Sequence, residues 1–360
     1  MVSGLAATPR RPSMSEVPRV ELAPGYTIPR IVTGAWQLSE GHARQPMARE
    51  AVFSNFDALV EHGFTAFDCA DIYTGVEELL GEFLQRQPAA RRQRIQIHTK
   101  LVPDRDALPG IDRGYVTRII DRSLQRLGVD RLDLVQFSWW DYDVPGYVET
   151  AGWLAQLQAE GKIRLLGATN FDTARFHEIS DAGVTLVANQ VQYSLLDTRP
   201  ENGMINCCAR RQASLLCYGT LAGGFLSDAY IGMSGPPPSP ANRSLTKYGL
   251  IIDEFGGWRP YQDLLVVLAG VAEKYNVSMA TVALRWLLER PRVAAAIVGI
   301  SRRDRAAQNL EVFSFCLDAE DRQRFDDVLA RRHGPCGDVF GLEREPGGKH
   351  AAIMRYNLNR

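Results

Sequence analysis

The chain has 360 residues, and its 41 Lys and Arg nearly cancel its 42 Asp and Glu. That balance offers nothing to a polyanion, so nucleic acid is not expected as a partner. The longest apolar stretches, such as 264–272, fall far short of the ~20 residues that span a bilayer, so no membrane partner is expected either.

Residues 1–19 carry Arg, Pro and Ser without the apolar stretch of a secretory signal, and 1–27 read as a flexible lead-in. From there apolar, β-branched runs alternate with segments of helical spacing. Strands are expected at 31–36, 64–67, 95–99, 132–137, 163–167, 186–190, 214–218 and 293–298. Helices are expected between them at 47–62, 77–85, 116–127, 147–160, 172–182 and near 201–212, and after the last strand at 302–313. Gly128, Gly161 and Gly183 supply helix stop signals. The gap before the eighth strand holds a Gly/Pro/Ser-rich loop at 231–242, then helices at 261–275 and 278–289. A helix near 319–331 and a Gly/Pro-rich tail at 333–360 lie outside the repeat; the barrel domain with that helix is expected over 28–332 and the tail over 333–360.

Eight strands alternating with helices argue for parallel βα units closed into a (β/α)8 TIM barrel. An open doubly wound sheet lacks support, because no GxGxxG opens a helix after the first strand. The six cysteines form no CxxC pair, which suggests a reducing compartment and a cytoplasmic location. No metal site is expected.

Barrel active sites are built at the C-terminal ends of the strands. Asp68, Lys100, Ser138, Thr169, Asn170, Gln190, Tyr218, Gly299 and Ser301 all fall at those ends. Any one of them is an ordinary boundary residue; together they converge on one mouth. Tyr73 follows Asp68 closely. A phenol beside an ammonium that is itself paired to a carboxylate is a proton donor, and the Lys100 charge is expected to lower the Tyr73 pKa towards the working pH. Trp36, Trp139, Trp140 and Tyr142 are expected to wall an apolar substrate pocket, with a core role as the alternative for Trp36 and Trp140.

Five segments, in order, carry a family resemblance: GFTAFDCADIY (63–73), SLQRLGVDRLDLVQF (123–137), GKIRLLGATNF (161–171), NQVQYSLL (189–196) and IVGISRRDRAAQNL (297–310). The chain resembles an aldo-keto reductase over roughly 28–330. The resemblance implies a (β/α)8 barrel and an NADP(H)-dependent exchange between a carbonyl and an alcohol. It implies that Tyr73 is the general acid, that Lys100 tunes it, and that Asp68 orients Lys100. It implies that Asn170 and Gln190, supported by Thr169, hold the cofactor carboxamide and that Tyr218 stacks on the nicotinamide. The loop 219–224, with Gly219, Leu221 and Gly223, matches a pyrophosphate cradle. Arg305 matches a grip on the 2′-phosphate, with Gln308 and Asn309 near the adenine and Arg302 and Arg303 adding charge. Some relatives carry Lys where Gly299 stands, so NAD(H) stays open as the cofactor.

One position departs. The family's usual His after the fourth strand is Ser138, in Val135-Gln136-Phe137-Ser138-Trp139. Ser donates one shorter hydrogen bond and carries no charge. Two other functions therefore remain open: a cofactor-binding regulatory or non-redox protein, and an aldose dehydrogenase running in the oxidative direction.

Overall fold

A computed structural model describes residues 16–40, 48–237, 242–300 and 305–359. Its chain starts with an antiparallel hairpin, β1 (Arg19–Ala23) and β2 (Tyr26–Pro29). Pro24-Gly25 makes the turn, with Gly25 at φ 70° where a side chain would be strained. The flexible lead-in expected over 1–27 is therefore corrected from residue 19 onward. Leu22, Ala23, Tyr26 and Ile28 pack against Val32, Ala66, Leu134, Val187, Leu216, Ala294 and Ile297 from the barrel interior. The hairpin thus plugs the N-terminal end of the barrel and leaves the other end as its mouth.

The strands β3 (Ile31–Gly34), β4 (Ala66–Asp68), β5 (Gln96–Leu101), β6 (Leu132–Phe137), β7 (Ile163–Thr169), β8 (Ala188–Gln192), β9 (Ser214–Tyr218) and β10 (Val293–Gly299) close into a barrel. All neighbours are parallel, and β10 pairs with β3 to complete the ring. Each strand falls on or near its sequence-expected position because each is a short run of buried apolar side chains. The helices in the expected intervals are α1 (Arg49–Glu61), α2 (Val76–Gln85), α3 (Ala89–Arg92), α4 (Arg113–Leu127), α5 (Tyr147–Ala159), α6 (Thr173–Asp181) and α7 (Met204–Arg211). Gly128 ends α4 in the left-handed region, as its sequence position suggests.

Between β9 and β10 stand α8 (Arg243–Phe255), α9 (Trp258–Tyr275) and α10 (Met279–Leu288). No sequence expectation covers α8, although its buried Tyr248, Ile251, Ile252 and Phe255 recur at helical spacing. After β10 come α11 (Arg305–Glu311), α12 (Ala319–Leu329) and a short α13 (Gly341–Arg344) within the tail. The tail crosses the mouth. Arg344 donates to the carbonyls of Asn170 and Trp139, and Asn359 donates to the carbonyl of Val102. Among the described residues no single helix is long and apolar enough to cross a membrane.

The helix that follows the Tyr73 turn is set by a close approach. A Cβ at Gly81 on α2 would lie 2.2 Å from the Arg126 carbonyl oxygen on α4. Gly81→Ala is therefore expected to destabilise the fold by ~1–3 kcal/mol through overpacking, read by urea unfolding. An unchanged midpoint would show that the two helices have room to part.

Candidate active site

Parallel register brings a set of polar side chains to one level of the mouth. Lys100 stands opposite Gln136, and Thr169 stands opposite Gln190. Lys100 Nζ donates to Asp68 Oδ2 at 2.7 Å and to the Cys69 carbonyl at 2.7 Å. Asp68 Oδ1 accepts from Gln190 Nε2 at 2.6 Å and Gln136 Nε2 at 3.1 Å, and Gln136 Oε1 accepts from Gln190 Nε2 at 2.8 Å. All four side chains are buried. Burial alone would depress the Lys100 ammonium, but Asp68 and Tyr73 outweigh it and raise its pKa. Gln136 carries no sequence expectation, although it lies inside the quoted fourth-strand segment. Thr99 Oγ1 also bonds the buried Glu77 at 2.6 Å, tying β5 to α2.

Tyr73 sits in the turn before α2, and its amide donates to the Ala70 carbonyl. Lys100 Nζ lies 5.1 Å from the centre of its ring. Trp36 meets the same ring edge-on at 4.8 Å, beside the mouth. The expected fall in the Tyr73 pKa is not what this geometry produces. Burial dominates and pushes the phenol up to about 12, against the downward pull of the Lys100 charge. The group is thus a protonated donor across the neutral range.

Asn170 and Gln190 flank this centre. Thr169 Oγ1 donates to the Gln190 carbonyl, and Tyr218 Oη donates to Asn170 Oδ1 at 2.9 Å. Asn170 Nδ2 then remains as a donor and Gln190 Oε1 as an acceptor, neither with a hydrogen bond among the described residues. One free donor beside one free acceptor is the complement of a primary carboxamide. The nicotinamide group therefore fits the residues present.

Gly219 and Gly223 both lie at φ 67°, and a Cβ at either would strike Tyr248 of α8, at 2.4 and 2.9 Å. Glycine here lets α8 cover the loop. Leu221 is half-buried between them. At the far end, a Cβ on Gly299 would lie 2.2 Å from Gln37 Nε2. Gln37 fills the space that a Lys at 299 would need, and no sequence signal marks it. Arg305 and Asn309 line a small cleft with Thr33, Asn55 and Gly299. Gln308 turns elsewhere and donates to Ser278 at the start of α10. Ser301, Arg302 and Arg303 lie outside the described residues.

Ser138 is buried and its amide donates to the Leu101 carbonyl; its hydroxyl makes no hydrogen bond among the described residues. Trp139 is corrected from pocket wall to core. It is fully buried against Phe137 and Tyr147, and its Nε1 donates to the carbonyls of Asp141 and Val144. Trp140 is half-buried, donates to the Pro103 carbonyl at 2.8 Å and packs edge-on to Tyr356 of the tail.

A model of the aldo/keto reductase family matches residues 30–330. A flagellar radial spoke protein 5 from Chlamydomonas reinhardtii is 30% identical over 257 residues, 61% of this chain and 49% of that protein. The chain therefore spans about half the length of that relative. An NADH-specific methylglyoxal reductase from Escherichia coli strain K12 is 24% identical over 321 residues, 82% of this chain and 93% of that protein. A glycerol dehydrogenase structure from Gluconobacter oxydans superposes with a TM-score of 0.74 at 23% identity, covering 90% of this chain and 98% of that one.

The buried pair makes a stability prediction. Lys100→Met strands the Asp68 carboxylate and is expected to cost ~3–5 kcal/mol. Adding Asp68→Asn is expected to recover most of that loss. Urea unfolding of both variants checks it; a double variant no more stable than the single would show that the pair is not coupled.

Proposed function

The chain belongs to the aldo/keto reductase family, and on that footing we propose that it interconverts a small carbonyl compound and its alcohol, using NADP(H), with Tyr73 as acid and base. The observation that carries the reading is the free Asn170 donor and Gln190 acceptor, with Gln190 bonded to the Asp68–Lys100 pair that neighbours a half-buried, protonated phenol. Asn170 and Gln190 would hold the carboxamide, Tyr218 the ring, loop 219–224 the phosphates, and Arg305 with Asn309 the adenosine end. Arg305, with Arg302 and Arg303 beside it in the sequence, favours a 2′-phosphate. One relative is named as NADH-specific, so the nucleotide preference is the finer part of the proposal.

A reduced nicotinamide held by these residues would supply the hydride that a carbonyl carbon accepts. Tyr73 gives its hydroxyl proton to the carbonyl oxygen. The Lys100 ammonium then stabilises the phenolate, and Asp68 holds Lys100 in place and balances its charge. Ser138 offers the oxygen a second, neutral hydrogen bond. Losing a strong oxyanion donor costs ~2.7–4 kcal/mol of transition-state stabilisation, so Ser138 places more of the work on Tyr73. Trp36 forms the apolar side of the opening. The names of two relatives, a methylglyoxal reductase and a glycerol dehydrogenase, support a small oxygenated substrate.

Tyr73→Phe is expected to lower kcat/KM for methylglyoxal reduction by ~10²–10⁴-fold while NADPH binding is kept. Unchanged turnover would remove Tyr73 from the chemistry. Tight NADPH binding with no oxidation across aldehydes, ketones and quinones would replace the proposal with a non-redox one.

The direction of the Tyr73 shift sets the pH profile. With a pKa of about 12 the phenol is protonated at every working pH, so reduction is expected to show no loss from Tyr73 ionisation near neutrality. Alcohol oxidation needs the phenolate and should rise about tenfold per pH unit on the alkaline side. A reduction rate falling through an apparent pKa near 7 would contradict this.

A further inference from the structure

Asn170 is held in an unusual way. Its φ is 62°, in the left-handed region that few residues other than Gly and Asn adopt readily. Three contacts around it hold it there. The Asn170 amide donates to the Gln190 carbonyl at 2.9 Å. Its Oδ1 accepts from Tyr218. Its carbonyl accepts from Arg344 Nη1 at 2.8 Å. The third contact comes from the C-terminal tail, 174 residues further along the chain.

The same guanidinium reaches a second strand end. Arg344 Nη2 donates to the Trp139 carbonyl at 2.7 Å, next to Ser138. Its Cζ lies 4.2 Å from the Tyr142 ring centre and 5.0 Å from that of Phe340. The preceding residue is fixed independently. Glu343 is buried and accepts from Arg199 at 2.8 and 3.2 Å, and Arg199 in turn bonds Asp197. Lys247 of α8 lies 3.8 Å from the same carboxylate. The backbone that carries Arg344 is therefore anchored by charges of its own, and the Arg344 fork is left to bridge β6 and β7. A Lys is not equivalent here, because its ammonium lacks the planar, paired donors and the flat face that Arg344 lays on Tyr142.

We propose that Arg344 is a positioning residue: by bridging the Asn170 and Trp139 carbonyls it fixes the Asn170 backbone, and so the carboxamide-binding Nδ2, against the Ser138 side of the mouth. The inference rests on the nicotinamide reading of the site. It makes the tail part of the cofactor site, though it touches no cofactor itself. Positioning errors of about 1 Å can cost roughly 10²-fold in an active site.

The test uses the full chain and two independent readouts. Arg344→Met and Arg344→Lys are compared with Asn357→Ala, which loosens the tail at its contact with Asp106, away from Asn170. The first readout is amide hydrogen exchange at residues 168–173 without any nucleotide. The second is NADPH affinity by fluorescence titration. Both Arg344 variants are expected to exchange faster at Asn170 and to bind NADPH about tenfold more weakly, with Lys giving no rescue. Asn357→Ala should change neither.

Unchanged exchange at Asn170 in a folded Arg344 variant overturns the proposal, as does full rescue by Lys. Equal effects from Asn357→Ala would reduce Arg344 to a general tail anchor and also overturn it. If the wild-type chain binds no nicotinamide nucleotide, the proposed function fails, and the exchange data alone decide the role of Arg344. If Arg344→Met does not fold, Arg344→Lys carries the comparison.

Discussion

The Lys100–Asp68 ion pair is the constraint on which the mouth of this barrel depends. Both groups are buried, and taking two charges out of water is costly unless the geometry is good and the remaining donors and acceptors are met. Here they are met: Asp68 receives two amides and the ammonium, and Lys100 also reaches the Cys69 carbonyl. These partners come from β5, β6 and β8 and the turn after β4. One ion pair therefore fixes the relative heights of strands far apart in the sequence. Asp68 takes one Gln190 donor hydrogen and Gln136 takes the other, so the Gln190 side chain is left with a free acceptor.

Tyr73 shows how two opposing effects resolve. A neighbouring ammonium favours phenolate, and burial favours phenol; burial wins here. The result suits a proton donor in reduction, with the ammonium placed to stabilise the phenolate only after the proton has left. Ser138 fits that division of labour. On the proposed reading, a short neutral hydroxyl leaves more of the polarisation of the oxygen to the phenol and its ion pair.

Much of this is legible in the sequence, and the reasons are local. Each barrel strand is a compact apolar run, and its end is marked by a polar residue, so the sequence alone places Asp68, Lys100, Ser138, Asn170 and Gln190 at the mouth. The features it hides depend on long-range packing. Residues 19–27 fall inside the expected lead-in because a short hairpin has no partner within its own segment, and only the barrel floor gives its apolar side chains something to bury against. Pro24-Gly25 is the available signal. The α8 stripe is hidden beside a Gly/Pro-rich loop. Trp139 and Ser138 look like one cluster in the sequence, but Trp139 packs into the core against Phe137 and Tyr147. Gln37 opposite Gly299, and Arg344 on Asn170, join segments far apart in the chain and leave no local trace.

The most direct measurement is a crystal structure of this chain with an oxidised nicotinamide dinucleotide bound. The account predicts the carboxamide between Asn170 Nδ2 and Gln190 Oε1, the ring against Tyr218, and the Tyr73 hydroxyl facing the ring beside an intact Lys100–Asp68 pair. A nucleotide bound with its ring elsewhere, or an open ion pair beneath it, would contradict it.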